Sequence, residues 1–243
     1  MALHDGRVNW PLFFGCILIA FGPLAAFFFV VVGQRAQLMI LALSGAFVWM
    51  VSILVTSTLW QIPALGESLE ATLAVGIVLQ EIARYVFFVL YTRTERAVQK
   101  VTTSTHQLPL NDLTSSIAGG VGFALMHSLM MYGSMIAAST GARGAAFSDS
   151  CPGVPLVFST AFMTLALTVL DVALMVIAFD GYRKKSIPSI AFVIIVHLGV
   201  GLSALANKSD NGCTISIPIH YAGALLASGA AYVLIGRWKQ SAH

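Results

Sequence analysis

The chain has 243 residues, of which 58% are apolar and only 9% charged, with a net charge of +3 and a mean hydropathy of +0.86. Soluble domains carry about a quarter charged residues, so this composition excludes a water-soluble globule and points to a polytopic, all-α membrane protein. So small a net charge gives no basis for nucleic-acid binding, and the three cysteines show no metal-ligand spacing.

Seven apolar stretches follow one another, at 10–32, 36–60, 72–92, 115–139, 155–179, 187–206 and 217–235. Each is about long enough to cross ~30 Å of hydrocarbon as a helix. The first is too long for a signal-peptide core, and Leu24-Ala25-Ala26 is a weak cleavage site, so it reads as a retained span. Connections are short apart from 93–114 and 140–154. That leaves no room for a separate soluble domain, so residues 1–243 read as one seven-helix transmembrane domain.

Lysine and arginine set the orientation. With the amino terminus outside, the inner segments hold Arg35, Arg93, Arg96, Lys100, Arg183, Lys184, Lys185, Arg237 and Lys239. The outer side holds Arg7, Arg143 and Lys208, so the positive-inside rule places the amino terminus lumenal or extracellular and the carboxyl terminus cytoplasmic. Trp10, Trp60 and Trp238 then stand at helix ends, as an interfacial aromatic belt requires. On the outer side, Asn207-Lys208-Ser209 is a glycosylation sequon close to the membrane. Cys151 and Cys213 both fall in outer loops, where a disulfide can form; free thiols fit the sequence equally well.

The fourth stretch looks built for helix contact. Gly120, Ala124 and Ser128 recur every four residues, with Gly119 and Gly122 beside them. Such a stripe lets two backbones approach closely in a bilayer, either within one bundle or against another chain. His127 falls back onto the same stripe seven residues after Gly120, and an imidazole is costly against lipid, so it should point into protein.

Six ionisable residues inside the spans matter: Glu81, Arg84, His127, Asp171, His197 and His220. A charged side chain at mid-helix costs roughly 2.5–3.5 kcal/mol on the insertion scale, so each needs a partner or a wet cavity. Glu81 and Arg84 are three apart and can pair on one helix face. Asp171 is expected about 12 Å from the inner end of its helix, and His220 near the outer end of the last, where water reaches it. A polar cluster joining the third to sixth helices is the natural expectation.

These residues resemble a known family. Phe13-Phe14-Gly15-Cys16 with Ala20-Phe21-Gly22-Pro23 is similar to the first helix of the anterior-pharynx-defective (Aph) subunits of γ-secretase. Gly45-Ala46-Phe47-Val48-Trp49 with Val51-Ser52 resembles the second helix, and Leu79-Gln80-Glu81 with Arg84 the third. The glycine-rich stretch resembles the fourth; Phe179-Asp180, Val196-His197-Leu198 and Ala206-Asn207 resemble the end of the fifth and the sixth. Two departures stand out. Only Gly120 is glycine in the spaced-by-four pattern, and Asp171 occupies the place of the first of two paired histidines, so an Asp171–His197 contact is expected in place of a His–His one.

The resemblance implies a non-catalytic scaffold that binds presenilin and nicastrin, then accepts the presenilin enhancer subunit. It would support presenilin-dependent cleavage of single-span proteins such as Notch-type receptors and amyloid precursor-type proteins. It further implies contact with membrane lipids, residence in the endoplasmic reticulum, Golgi and plasma membrane, and no metal or other cofactor. The alternative is an intramembrane glutamate-type protease using Glu81, His127 and His197, with the carboxylate as general base. Against it, the first motif lacks paired glutamates and Gly201 stands where that chemistry wants an Asn or Asp; no HExxH or HxxxH spacing appears.

Overall fold

The computed structural model describes residues 10–101, 111–139 and 150–240. Arg7 and Arg143 lie outside them, and the side chains of Arg237, Trp238 and Lys239 are likewise outside what is described. Among the described residues there are seven helices long and apolar enough to cross a membrane, and no strand. Helices are what lipid demands, because every backbone N–H and C=O must find its partner within the segment.

We number them α1 (Trp10–Phe27), α2 (Ala36–Leu59), α3 (Leu69–Val101), α4 (Asp112–Ser139), α5 (Leu156–Lys184), α6 (Ile187–Ser203) and α7 (Cys213–Gln240). A π-helical turn, Phe28–Val32, prolongs α1, and a 3-10 turn, Ala204–Lys208, prolongs α6. The short helix Pro63–Gly66, which the hydropathy pattern does not reveal, joins α2 to α3.

Helix α5 is the hub. Of its most apolar stretch 78% is buried inside the molecule, against 22% for α1. It packs against α4, α7, α1, α6 and α3, while α4 also packs on α2. A helix apolar on every side suits that central position. Leu170, Leu174 and Ile177 meet Val193 and Val200 of α6 and Ala224 and Ala227 of α7. On the other flank Met175 and Phe179 join Trp49, Phe87 and Phe123.

Helix α5 also runs five residues past its expected end. It closes at Lys185, a left-handed residue (φ 54°), with the Ser186 N–H donating to the Gly181 carbonyl at 2.8 Å. Pro188 in the first turn of α6 then restarts the helix, where its missing N–H costs nothing.

Ion pairs mark the two ends of the bundle. Arg183 bonds Asp112 at the start of α4 and Glu95 near the end of α3 (2.9 Å), and the Tyr91 hydroxyl donates to Asp112 at 3.1 Å. At the opposite end Lys208 reaches Glu70 at the start of α3, at 2.5 Å. Cys151 and Cys213 form a disulfide with their Cα atoms 5.4 Å apart, fastening the segment before α5 to the first residue of α7.

Candidate functional site

The small-residue stripe of α4 is used up inside the chain. A Cβ at Gly122 would fall into the Ala42 carbonyl of α2, and one at Gly45 would come within 2.7 Å of the Gly119 carbonyl oxygen. Gly120 lies against α5, with Val172 Cα 2.9 Å from where its Cβ would be, and Gly119 accommodates the Phe87 ring of α3. Ala124 is fully buried with Leu24, Ala42 and Val121. Ser128 Oγ donates to Thr168 Oγ1 at 2.8 Å, since Thr168 spends its own proton on the Thr164 carbonyl. All five residues therefore serve contacts with α2, α3 and α5 of this chain, and none presents a free seam to another one.

The spaced-by-four pattern singles out Gly120, Ala124 and Ser128, yet the closest backbone approach sets Gly122 against Ala42 and Ala46, and Gly119 against Gly45. Gly45 stands outside that pattern. The available signal was a glycine amid the large side chains of a second strongly apolar helix.

Beside this dry seam four helices bring their polar groups into one chain of contacts. Glu81 of α3 accepts through Oε1 from Arg84, one turn away, and from His197 Nδ1 of α6 at 2.5 Å. The other end of the Arg84 guanidinium donates to Asp171 Oδ1 of α5 at 3.2 Å. Asp171 Oδ2 accepts from His127 Nδ1 of α4 at 2.7 Å. Cationic or donor groups thus alternate with carboxylates across α6, α3, α5 and α4. Arg84 is 0% exposed, with its guanidinium carbon 5.7 Å from the Phe123 ring centre, and Trp49 stacks on His127 at 5.2 Å.

The depth of the cluster follows from the helix lengths. Glu81 is twelve residues into the span Leu69–Val98 and Asp171 fifteen into Leu156–Lys184. At 1.5 Å per residue both lie within about 5 Å of the middle of their helices.

Three expectations are corrected. Asp171 does not meet His197; Arg84 stands between the two carboxylates, so Asp171 takes His127 and His197 takes Glu81. Asp171 is about 20 Å from the end of its helix, deeper than the apolar pattern implied, because α5 continues to Lys184. His220 is buried at 2% exposure, its Nδ1 donating to the Ser216 carbonyl at 2.7 Å. Asn207 lies in the 3-10 turn with its side-chain oxygen accepting from Ser216 Oγ at 2.7 Å.

Chemically, the cluster pairs most of its own charge. Both Asp171 oxygens and one Glu81 oxygen are committed to cations or imidazoles, which is how a bilayer makes buried charge tolerable. Among the described residues no group of three His, Cys, Asp or Glu side chains is arranged to hold a metal ion.

A family model described as "Aph-1 protein" matches residues 11–238. The chain is 30% identical over 216 residues to the gamma-secretase subunit APH1-like of Arabidopsis thaliana, covering 85% of this chain and 86% of that one. It is 26% identical over 232 residues to the gamma-secretase subunit Aph-1 of Drosophila melanogaster, covering 95% of each. With the human gamma-secretase subunit APH-1B it shares 26% identity over 238 residues, 93% of this chain and 86% of that one. A match running from the start of α1 almost to the end of α7 settles the assignment: this integral membrane protein belongs to the Aph-1 family.

Proposed function

We propose that the chain is a non-catalytic scaffold subunit of a γ-secretase complex. Its role is to hold together a presenilin-type protease, nicastrin and the presenilin enhancer subunit during cleavage of single-span membrane proteins, Notch-type and amyloid precursor-type proteins among them. Relatives that carry the name of gamma-secretase subunit over nearly their whole length support this reading. The observation that supports it on the structural side is the engagement of Glu81: its Oε1 accepts from both Arg84 and His197, as a member of a buried ion pair does. In the same reading residues 1–243 form one packing unit, with the amino terminus lumenal, the carboxyl terminus cytoplasmic, and the complex travelling from endoplasmic reticulum through Golgi to plasma membrane.

Purification of the tagged chain in mild detergent tests the reading. Presenilin, nicastrin and the enhancer subunit should co-purify, and the preparation should lose substrate cleavage when presenilin's own catalytic aspartates are replaced. A solitary chain that cleaves a membrane substrate, and stops on Glu81→Gln, would reverse it in favour of the glutamate-protease alternative.

A further inference from the structure

A groove of about 380 Å³ opens on the outside of the bundle between α3 and α6, lined by Val78, Ile82, Tyr85, Tyr182, Ile190 and Ile194 with Glu81 among them. Its walls are otherwise apolar. Val78, Ile82 and Tyr85 recur at helical spacing and are 45%, 52% and 52% exposed, forming a ridge along one rim.

Glu81 is the one acidic group of the groove and is only 6% exposed. Oε1 takes both of its donors, whereas Oε2 is buried and accepts no hydrogen bond from any described residue. A buried acceptor without a donor is expensive, the more so for a charged one. The charge count points the same way: two carboxylates, Glu81 and Asp171, surround one guanidinium, Arg84, leaving one negative charge in excess when the imidazoles are neutral.

Depth decides what can supply the missing donor. Glu81 lies within about 5 Å of mid-span, while lipid headgroups and sterol hydroxyls sit at the interface, about 15 Å from the midplane. The chain's own unused donor in the cluster, Arg84 Nε, is buried and makes no hydrogen bond with Oε2. A donor from outside the chain therefore has to be carried to this depth by a spanning helix, and an intramembrane cation is itself stable only when paired in this way.

We infer that the α3–α6 groove docks a transmembrane helix of another subunit that carries a lysine or arginine near the middle of its span, with that side chain paired to the Glu81 carboxylate. The neighbouring helix lays its apolar face along Val78, Ile82 and Tyr85, and its cation neutralises the excess charge of the cluster. This inference rests on the reading of the chain as a complex subunit and specifies which face makes the contact.

The test is site-specific photo-crosslinking of the full chain in membranes of cells that express its partners. A benzophenone amino acid replaces Ile82 on the rim, with Leu43 of α2, exposed on a different helix, as the control position. The adduct at position 82 should map, by mass spectrometry of the crosslinked peptide, to a spanning segment with a Lys or Arg in its central third. Glu81→Gln should lower the adduct yield about tenfold without unfolding the chain, because Arg84, Asp171 and His127 remain paired. Ile194→Trp, which fills the groove and leaves the cluster untouched, should give the same loss. Replacing the partner's cation by methionine should match Glu81→Gln. An adduct on a segment with no basic residue, an adduct with lipid only, or a yield unaffected by both variants overturns the inference. If the chain still co-purifies with the complex while position 82 reaches only lipid, the docking site falls and the subunit reading stands; if nothing co-purifies, both fall.

Discussion

The two faces of the bundle core solve the problem of packing in lipid by opposite means. Between α2, α4 and α5 the backbones meet directly, through Gly122, Gly119, Gly45 and Gly120, and dispersion carries most of that contact. Between α3, α5 and α6 the helices are joined by a run of charged and imidazole groups, each tolerable only because its neighbour is in place. The first contact is complete within the chain. The second leaves the Arg84 Nε and one Glu81 oxygen unused, the latter on a residue that lines an open groove. A scaffold needs both: a seam that fixes its own shape, and a polar edge whose full satisfaction depends on what binds.

Substitutions can break the contrast at either side. The largest effect is expected from Gly122→Val, since its Cβ meets the Ala42 carbonyl and the Ala46 nitrogen, backbone atoms that no rotamer change can move. Overpacking against backbone should exceed the usual ~1–3 kcal/mol, so little monodisperse protein should survive size-exclusion chromatography. Gly15→Val on α1, where a Cβ meets nothing within 4 Å, should change yield hardly at all. Equal behaviour of the two variants would remove the distinction between the seam and the outer surface.

Arg84→Gln comes next. It leaves Glu81 and Asp171 buried without their shared cation, and breaking such a pair costs about 3–5 kcal/mol, to be read as a lowered thermal midpoint in detergent. Cys213→Ala releases the tie between the segment before α5 and α7, with about 2–4 kcal/mol lost; reductant should bring the parent to the same midpoint. The smallest effect belongs to Ser128→Ala, which removes one hydroxyl bond to Thr168, worth about 0.6 kcal/mol on average between membrane helices. A large effect there would mean that the seam depends on polar contacts after all.

Much of this architecture was legible in the sequence because lipid leaves few choices. Stretches of twenty apolar residues announce spanning helices, and Gly119, Gly120, Gly122, Ala124 and Ser128 had to face protein to be of use. Glu81, Arg84, His127, Asp171 and His197 were bound to seek each other. What sequence could not supply was register between helices. Spacing shows that Glu81 and Arg84 share a face, but not that the guanidinium reaches across to α5 and so diverts Asp171 from His197 to His127. Gly45 was invisible for the same reason: its purpose exists only once the Gly119 carbonyl lies opposite. His220 looked wetted because hydropathy reports position along a helix, not the α7 carbonyl and the Ser203 hydroxyl against which its ring is held. The helix ends beyond Phe179 were hidden because Asp180, Arg183 and Lys184 break the apolar pattern without breaking the helix.

Arg84 is the cation that lets two acidic side chains stay inside the membrane. A double-mutant cycle with Arg84→Gln and Glu81→Gln, followed by the thermal midpoint of the solubilised chain, measures that dependence directly. Contacting charges should couple by roughly 0.5–3 kcal/mol, so adding Glu81→Gln to Arg84→Gln should raise the midpoint by relieving one stranded carboxylate. A double variant that loses the plain sum of the two single losses would mean the charges are not partners, and the polar cluster would no longer explain how these helices are held.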